Sequence, residues 1–224
     1  MKQLKIFADN FSESPREWDN LGVIAYKSSR YTLGEEEIDD PIDWLCQKLG
    51  YDDLEEYNET NNIDLDYNNS TFESLEAEFF DHYIALPVYI YDHSGITINT
   101  APFSCPWDSG QIGYIYIPEE KTTEINSFPR NWLNGRSKEE AAKDVLKGEI
   151  ETFDDYIRGE VFGFRVEEMI KCNSCEGVQI EVIDSCGGFY GTDFMNNGMR
   201  DYIPEEMEEQ LKDYDFDAIE FSSY

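Results

Sequence analysis

The sequence predicts an α+β fold, in which a mainly antiparallel sheet is covered by several packed helices. Short segments of alternating apolar residues recur along the chain, and the connections between neighbouring segments are too short for parallel crossovers. Ser-x-x-Glu capping boxes begin at Ser70 and Ser137, each before apolar residues at helical spacing. Asp40-Pro41 is a further helix start, an N-cap followed by proline at the first helical position.

The elements follow in chain order. Residues 83–91, 96–100 and 111–117 are expected to form an antiparallel meander, and Pro87 indicates an edge position or a bulge. The other predicted strands are 3–8, 22–27, 160–167, 177–183 and a terminal strand at 216–222. The predicted helices are 40–50, 70–80, 137–158 and an acidic helix from about Pro204. We expect a single α+β domain over 1–224, with an acidic helical insertion at 35–80 and an acidic C-terminal helix at 201–217.

Charge is the strongest compositional signal. The 224 residues include 49 Asp and Glu but only 17 Lys and Arg, for a formal net charge of -32. So acidic a chain lacks the basic groove that binds nucleic acid, and it is not attracted to an anionic membrane. Intrinsic disorder is disfavoured, because 40% of the residues are hydrophobic and 15% are aromatic. Solubility needs a net charge of only about 2–8, so the excess indicates a basic partner, halophilic adaptation or evolutionary drift.

The sequence also bears on compartment and cofactors. It contains no apolar run of about 20 residues, and its N-terminus has no signal-peptide pattern. The cysteine number, five, is odd, so reduced thiols in a cytosol are expected. None of the glycine-rich, nucleophile-elbow or zinc-protease motifs occurs, so no cofactor is expected.

Two metal sites are weak alternatives. Residues 64–76 resemble a calcium loop, but Asn69 stands where glycine is required and Leu75 where a bidentate glutamate is required. Cys172 and Cys175 form one C-x-x-C pair, and Cys186 is a candidate third zinc ligand. The alternative is a pair of thiols at a hairpin between strands.

A polar constellation lies in the nearly neutral middle of the chain. Two loops rich in proline and polar residues supply Asp92, His93, Cys105, Trp107, Asp108 and Ser109. His93, Cys105 and Asp108 are the candidate catalytic residues, since a thiol poised against a base is a nucleophile. Neighbouring carboxylates disfavour a thiolate, so catalysis competes here with a turn histidine and a buried loop cysteine. An enzyme or small-ligand-binding protein is therefore the alternative function.

Several segments resemble a family of bacteriophage and mobile-element proteins to which no reaction is assigned. The two main motifs are SPREWDNLG at 14–22 and DHSGITINTAPFSCPWDSGQIGYIYI at 92–117. Residues 30–37, 149–164 and 183–191 are similar to further blocks of that family. The Cys172–Cys175 pair departs from the family pattern, as does VIAYKSSRY at 23–31, where the family has a histidine before the arginine. The resemblance implies the cytoplasm of a bacterial host.

Together, charge and resemblance predict a non-enzymatic, phage-type acidic inhibitor. It would act as a DNA mimic, whose carboxylates replace phosphates in the groove of a host defence nuclease or another basic nucleic-acid-binding protein. A structural or adaptor protein, in which acidity only prevents association, is a third hypothesis. The predicted partner-binding residues are Glu35, Glu36, Glu37, Asp39, Asp52, Asp53, Glu55, Glu56, Asp201, Glu205, Glu206, Glu208, Glu209, Asp213, Asp215 and Asp217.

Overall fold

A computed structural model describes residues 2–61, 63, 69–171 and 177–220. In this part the chain forms seven α-helices and eight strands in two sheets, which confirms the α+β prediction. The strands are β1 Lys2–Ala8, β2 Val23–Tyr26, β3 Glu36–Glu37, β4 Ala85–Asp92, β5 Ile96–Asn99, β6 Ser109–Tyr116, β7 Val161–Lys171 and β8 Val178–Tyr190. The helices are α1 Pro41–Lys48, α2 Leu54–Asn61, α3 Asn69–His82, α4 Thr122–Asn126, α5 Arg130–Leu133, α6 Lys138–Ile157 and α7 Glu208–Lys212. Among the described helices, none is both long and apolar enough to cross a bilayer.

The chain divides into two compact units. The terminal unit contains Met1–Pro15 and Thr152–Tyr224, and the central unit contains Arg16–Glu151. The single domain over 1–224 stays a prediction. The predicted insertion at 35–80 lies in the central unit, where α1, α2 and α3 follow β3.

The terminal unit is built on a three-stranded antiparallel sheet in the order β1-β7-β8. Leu4 faces Val166 and Ile6 faces Phe164, and all four side chains are buried. The apolar residues of the C-terminal segment recur at every fourth position and join the same buried cluster: Met199, Ile203, Met207 and Leu211. This burial ties the acidic C-terminus to the sheet.

The C-terminal segment is less regular than predicted. Three short 3₁₀ turns and the five-residue helix α7 stand in place of one helix over 201–217. Like charges four residues apart, such as Glu205 and Glu209, destabilise a continuous helix. The buried side chains of Met199, Met207 and Leu211 anchor the first two 3₁₀ turns and α7. The predicted terminal strand is reduced to one bridge between Glu220 and Phe7, and residues 221–224 lie outside the described part.

The central unit is built on a five-stranded sheet in the order β3-β2-β6-β4-β5. The predicted antiparallel orientation of β4, β5 and β6 is confirmed, but the predicted meander order is wrong, since β4 lies between the other two. The connection from β5 to β6, residues 100–108, is long enough to return the chain to the far side of β4. Pro87 lies beyond the last residue paired with β5 and next to a bulge at Val88/Tyr89, as predicted.

The helices of the central unit begin where their caps predict. Asp40 accepts hydrogen bonds from the backbone N–H groups of Ile42 and Asp43, which opens α1. Ser137 and Glu140 form the predicted capping box before α6, with Ser137 N–H donating to the Glu140 carboxylate at 2.7 Å. The side chain of Ser70 lies outside the described part, so its capping box stays a prediction.

An aromatic cluster forms the core between α1, α3 and the sheet. Trp44 stacks on Tyr114 at a centroid distance of 5.6 Å, and it lies edge-on to Tyr116 at 5.8 Å. Phe79 from α3 packs against Trp44 and both tyrosines. Such ring pairs stabilise a core beyond the burial of their area, so α1 and α3 are firmly attached to β6.

Candidate functional site

The DHSG motif forms the turn between β4 and β5. Ser94 has a φ of 59°, a left-handed conformation that is uncommon for a residue other than glycine. The backbone N–H of His93 donates to the carbonyl of Gly95 at 3.0 Å and closes the turn. The backbone N–H of Asp92 donates to the carbonyl of Asp108 at 2.8 Å, which brings the start of β6 to the same place.

The predicted catalytic residues converge on one carboxylate. Asp108 Oδ2 lies 3.3 Å from His93 Nδ1 and 3.8 Å from Cys105 Sγ. Ser109 Oγ donates to the backbone carbonyl of Cys105 and holds the loop. The thiol and the imidazole therefore share Asp108, and no direct thiol–imidazole contact places a base on the sulfur. This arrangement forms a polar binding cluster more readily than an activated cysteine nucleophile.

Sequence reasoning missed two members of this cluster. Arg30 makes an ion pair with Asp92, and Tyr31 Oη lies 3.3 Å from Asp92 Oδ2. Both residues belong to VIAYKSSRY, and their distance of about sixty positions from Asp92 hides the contact in the sequence. Tyr91 stacks on His93 at 5.9 Å, while Trp107 is 90% exposed beside the cluster.

The metal alternatives receive no support from the described residues. Within 2–61, 63, 69–171 and 177–220, no group of three or more His, Cys, Asp or Glu side chains is arranged to hold a metal ion. Cys172 and Cys175 lie outside these ranges, and Cys186 is partly exposed with its Sγ 3.7 Å from the Gly187 carbonyl. Most of the calcium-like loop, residues 64–68, is also outside them.

Two of the predicted partner-binding acids are engaged inside the central unit. Glu35 accepts from the guanidinium of Arg16 at 2.8 Å and from the backbone N–H of Ile24 at 2.7 Å. Glu36 accepts from Tyr116 Oη at 2.7 Å and pairs with Lys48 at 3.1 Å. Burial, with the Glu36 carboxylate next, raises the pKa of Tyr116, so the phenol remains a donor. These two acids are therefore engaged in contacts within the central unit, although the Glu35 residue is exposed.

The other predicted acids of the central unit are exposed. Asp53 accepts from the backbone N–H of Glu56, and Glu56 accepts from that of Asp52, so both carboxylates help to begin α2. We call these exposed acids the central acidic surface: Glu37, Asp39, Asp52, Asp53, Glu55 and Glu56. No basic side chain of the described residues lies within ion-pair distance of any carboxylate of this surface.

The predicted acids of the terminal unit are also mostly unpaired. Glu206 pairs with Lys2 at 3.5 Å, Glu208 pairs with Arg200 at 3.1 Å, and Asp215 caps the turn at Asp217. Asp201, Glu205, Glu209 and Asp213 are exposed and have no basic neighbour within ion-pair distance in the described part. We call this set the C-terminal acidic surface: Asp201, Glu205, Glu206, Glu208, Glu209, Asp213, Asp215 and Asp217.

Most of the basic residues are bound to carboxylates, and most of these carboxylates lie outside the two acidic surfaces. On α6, Lys143 pairs with Glu139 and Lys147 with Glu151, while Arg136 pairs with Asp144. The long helix is thus largely neutralised, in contrast to α2. The basic residues with a carboxylate in ion-pair distance are Lys2, Lys5, Arg16, Arg30, Lys48, Lys121, Arg136, Lys143, Lys147, Arg158, Arg165 and Arg200.

The SPREWDNLG segment has a structural role. Glu149 of α6 lies 3.2 Å from the guanidinium of Arg16, and it accepts from the backbone N–H groups of Leu21 and Gly22. Arg16 donates in turn to the carbonyl of Gly22 at 2.8 Å. These contacts of the motif attach the loop before β2 to α6.

Comparison with protein-family models, curated proteins and solved structures finds no match to this chain.

Proposed function

We propose that the protein is an acidic inhibitor of the phage type, which occupies the nucleic-acid-binding groove of a basic host protein such as a defence nuclease. The observation that carries this proposal is the separation of charge. Most bases are bound in ion pairs, while most carboxylates of the central and C-terminal acidic surfaces have no basic side chain within ion-pair distance among the described residues. A protein of net charge -32 then projects a negative field at these surfaces.

The spacing of the carboxylates fits a phosphate-binding groove. Glu55 and Glu59 are one helical turn apart on α2. Side chains at this separation are about 5–6 Å apart, which is of the same order as the spacing of phosphates along one nucleic-acid strand. Lysine and arginine side chains arranged to bind phosphates would therefore meet carboxylates at comparable intervals. The field would accelerate association, and added salt would weaken the complex.

Capture from a bacterial lysate tests the proposal. The immobilised full chain is washed at low salt and eluted with a salt gradient, and the eluted proteins are identified by mass spectrometry. We expect a basic nucleic-acid-binding protein that a DNA or RNA duplex displaces competitively. A captured partner that remains bound at about 1 M salt, where the Debye length is about 3 Å, would contradict electrostatic mimicry.

Charge-neutral variants locate the surface. Glu37→Gln, Asp39→Asn, Asp52→Asn and Glu55→Gln together remove four charges from the central acidic surface. The matched control removes four exposed charges of the same unit outside it, through Glu17→Gln, Glu73→Gln, Glu120→Gln and Glu124→Gln. We expect the first variant to elute at lower salt and with a smaller salt slope, and the control to elute close to wild type. If both variants eluted at equally reduced salt, net charge alone, and not the central acidic surface, would determine binding.

We propose a small-ligand site at the DHSG and PFSCPWDSG loops as the second candidate. The convergence of His93 and Cys105 on Asp108, with Arg30 and Tyr31 on Asp92, favours it. Native mass spectrometry of protein purified from bacteria would reveal a co-purifying small molecule. We expect that molecule to be lost in His93→Ala and in Cys105→Ala while the circular dichroism spectrum is unchanged. Retention in both variants excludes the site.

A further inference from the structure

The chain contains two Asn-Gly dipeptides, Asn134-Gly135 and Asn197-Gly198. Asparagine is a thermolabile residue, because the backbone nitrogen of the next residue can attack its side-chain amide carbon. A glycine in the next position has no side chain to hinder that attack. The two dipeptides therefore have similar intrinsic reactivity, and any difference between them arises from the fold.

Asn134 lies in an exposed turn between α5 and α6. It has a φ of 47° and a ψ of 40°, and Gly135 has a φ of 84°, which are the dihedral angles of a type I′ turn. The backbone N–H of Arg136 donates to the carbonyl of Leu133 at 2.9 Å and closes the turn. Both residues of the dipeptide are exposed, so water reaches the amide from outside.

The two groups that would react are not engaged in hydrogen bonds. Within the described part of the chain, neither the side chain of Asn134 nor the N–H of Gly135 makes one. Rotation about the Cα–C bond of Asn134 brings the Gly135 nitrogen to the side-chain amide carbon, and it opens the backbone hydrogen bond that closes the turn. Hydrogen bonds of this kind at a surface turn open readily, so the fold presents little resistance to the attack.

Asn197 is held on both polar atoms of its side chain. Its Nδ2 donates to the carbonyl of Gly191 at 2.9 Å, and its Oδ1 accepts from the backbone N–H of Met199 at 3.1 Å. Its own backbone N–H donates to the carbonyl of Asp193 at 2.8 Å. Met199 is fully buried, which fixes one of these partners in the core of the terminal unit. Attack on this amide requires the side chain to leave both of its partners.

We propose that Asn134 is a site of spontaneous deamidation and isoaspartate formation, and that the fold protects Asn197. In the first step the Gly135 nitrogen bonds to Cγ of Asn134, and Nδ2 leaves as ammonia with the proton of the Gly135 N–H. The product is a five-membered cyclic imide. Water then cleaves one of the two C–N bonds of the imide. Cleavage at Cγ gives aspartate, and cleavage at the backbone carbon gives isoaspartate.

The modification adds one carboxylate to the central unit. Both steps need only water, and neither oxidises nor reduces the chain. The reaction takes place in the isolated protein, so it does not depend on the inhibitory function proposed above.

Peptide mass spectrometry of the full chain during incubation in mildly alkaline buffer tests the proposal. Electron-transfer fragmentation distinguishes isoaspartate from aspartate in each product. Since each hydrogen bond that must break slows a reaction by roughly 2- to 12-fold, we expect Asn134 to convert at least about 10-fold faster than Asn197. The matched control is the same chain in guanidinium chloride, where loss of the fold should bring the two rates close together.

A variant tests the cyclic route. Glutamine at this position would have to close a six-membered ring, which forms much more slowly. Asn134→Gln should therefore abolish conversion at residue 134 and leave the rate at Asn197 unchanged. Circular dichroism before incubation confirms that the variant is folded, which is expected because position 134 is exposed.

Three results would overturn the proposal. The first is an Asn134 that stays intact in the folded chain, or that converts no faster than Asn197. The second is a ratio of the two rates that is the same in buffer and in guanidinium chloride, which would show that the fold has no influence. The third is a product at residue 134 that contains aspartate without isoaspartate, which excludes the cyclic imide.

Discussion

Arg16 and Glu149, which are 133 positions apart in the chain, form an ion pair whose side chains are only 8% and 11% exposed. Glu149 also accepts hydrogen bonds from the backbone N–H groups of Leu21 and Gly22, so one carboxylate binds both the Arg16 side chain and the loop. The pair fastens the loop before β2 to α6. Removing either partner leaves a buried charge without its counterion, which is more unfavourable than the loss of an exposed pair.

Arg16→Ala should lower the free energy of unfolding by about 3 kcal/mol. The reason is that Glu149 would remain buried and charged. Urea unfolding followed by circular dichroism measures the change. Lys143→Ala, which removes an exposed pair with Glu139, is the control and should change stability by no more than about 0.5 kcal/mol. Similar losses of stability in both variants would show that the Arg16–Glu149 ion pair is not buried in solution.

Stability should depend on pH through Glu149. Burial raises the pKa of this carboxyl despite the opposing contributions of the Leu21 N–H and the Arg16 guanidinium. Folding therefore favours the protonated form, and the associated stabilisation is complete below the unfolded pKa of about 4.3. It is lost as the pH rises through the folded pKa. Relative to Glu149→Gln, wild type should become progressively less stable as the pH rises above about 4. If wild type instead became more stable than Glu149→Gln as the pH rises, the ion pair with Arg16 would affect the pKa of Glu149 more than burial does.

Gly113→Ala should destabilise the central sheet. A Cβ at Gly113 would collide with the backbone carbonyl of Ala25 on β2, which cannot move without breaking the β2–β6 pairing. We expect a loss of about 2 kcal/mol in chemical unfolding. Gly110→Ala is the control on the same strand, since a Cβ there meets no atom within 4 Å. Its effect should stay within about 0.5 kcal/mol.

Cys46 should resist thiol reagents in the folded protein. Its side chain is fully buried, and burial together with the Asp43 carboxylate raises its pKa to about 11. Because the thiolate is the reactive form, modification at about pH 8 should require unfolding. Peptide mass spectrometry after labelling separates Cys46 from the partly exposed Cys105, which serves as the internal control. Labelling of both at one rate would contradict the buried position.

Salt should stabilise the protein. Screening reduces the repulsion among the unpaired carboxylates, so the melting temperature should rise by on the order of 5 °C between about 0.05 M and about 0.5 M NaCl. The variant with four neutralised charges in the central acidic surface should start from a higher melting temperature and respond less to salt. A melting temperature that falls with salt would show that the ion pairs of α6 dominate.

Local signals predicted the elements well. Asp40 caps α1 as expected, and Gly50, with a φ of 87°, ends that helical region. The predicted alternation at 111–117 and the capping box at Ser137 also correspond to the described elements β6 and α6. These signals depend on residues within a few positions of each other, which is why they can be read along the chain.

Long-range pairings were not predictable in the same way. The predicted meander order was wrong because the path of residues 100–108 depends on which strands pair with each other, and not on the residues of the loop alone. Arg30 and Tyr31 were missed in the DHSG cluster for the same reason, since their partner Asp92 lies on another strand. Glu35 and Glu36 look like the neighbouring Glu37 in the sequence, yet only packing engages them with Arg16 and Tyr116.

The sequence by itself determined the α+β class, the caps and turns and the large negative charge, because composition and local spacing carry that information. Tertiary structure decided which carboxylates are engaged by bases beyond their own helix. It placed Arg16 beside Glu35 and Lys48 beside Glu36, while the acids of α2 received no basic neighbour among the described residues. It also left β8 as an edge with an apolar outer face. Both outcomes depend on distances between residues remote in the chain, which net charge and periodicity do not contain.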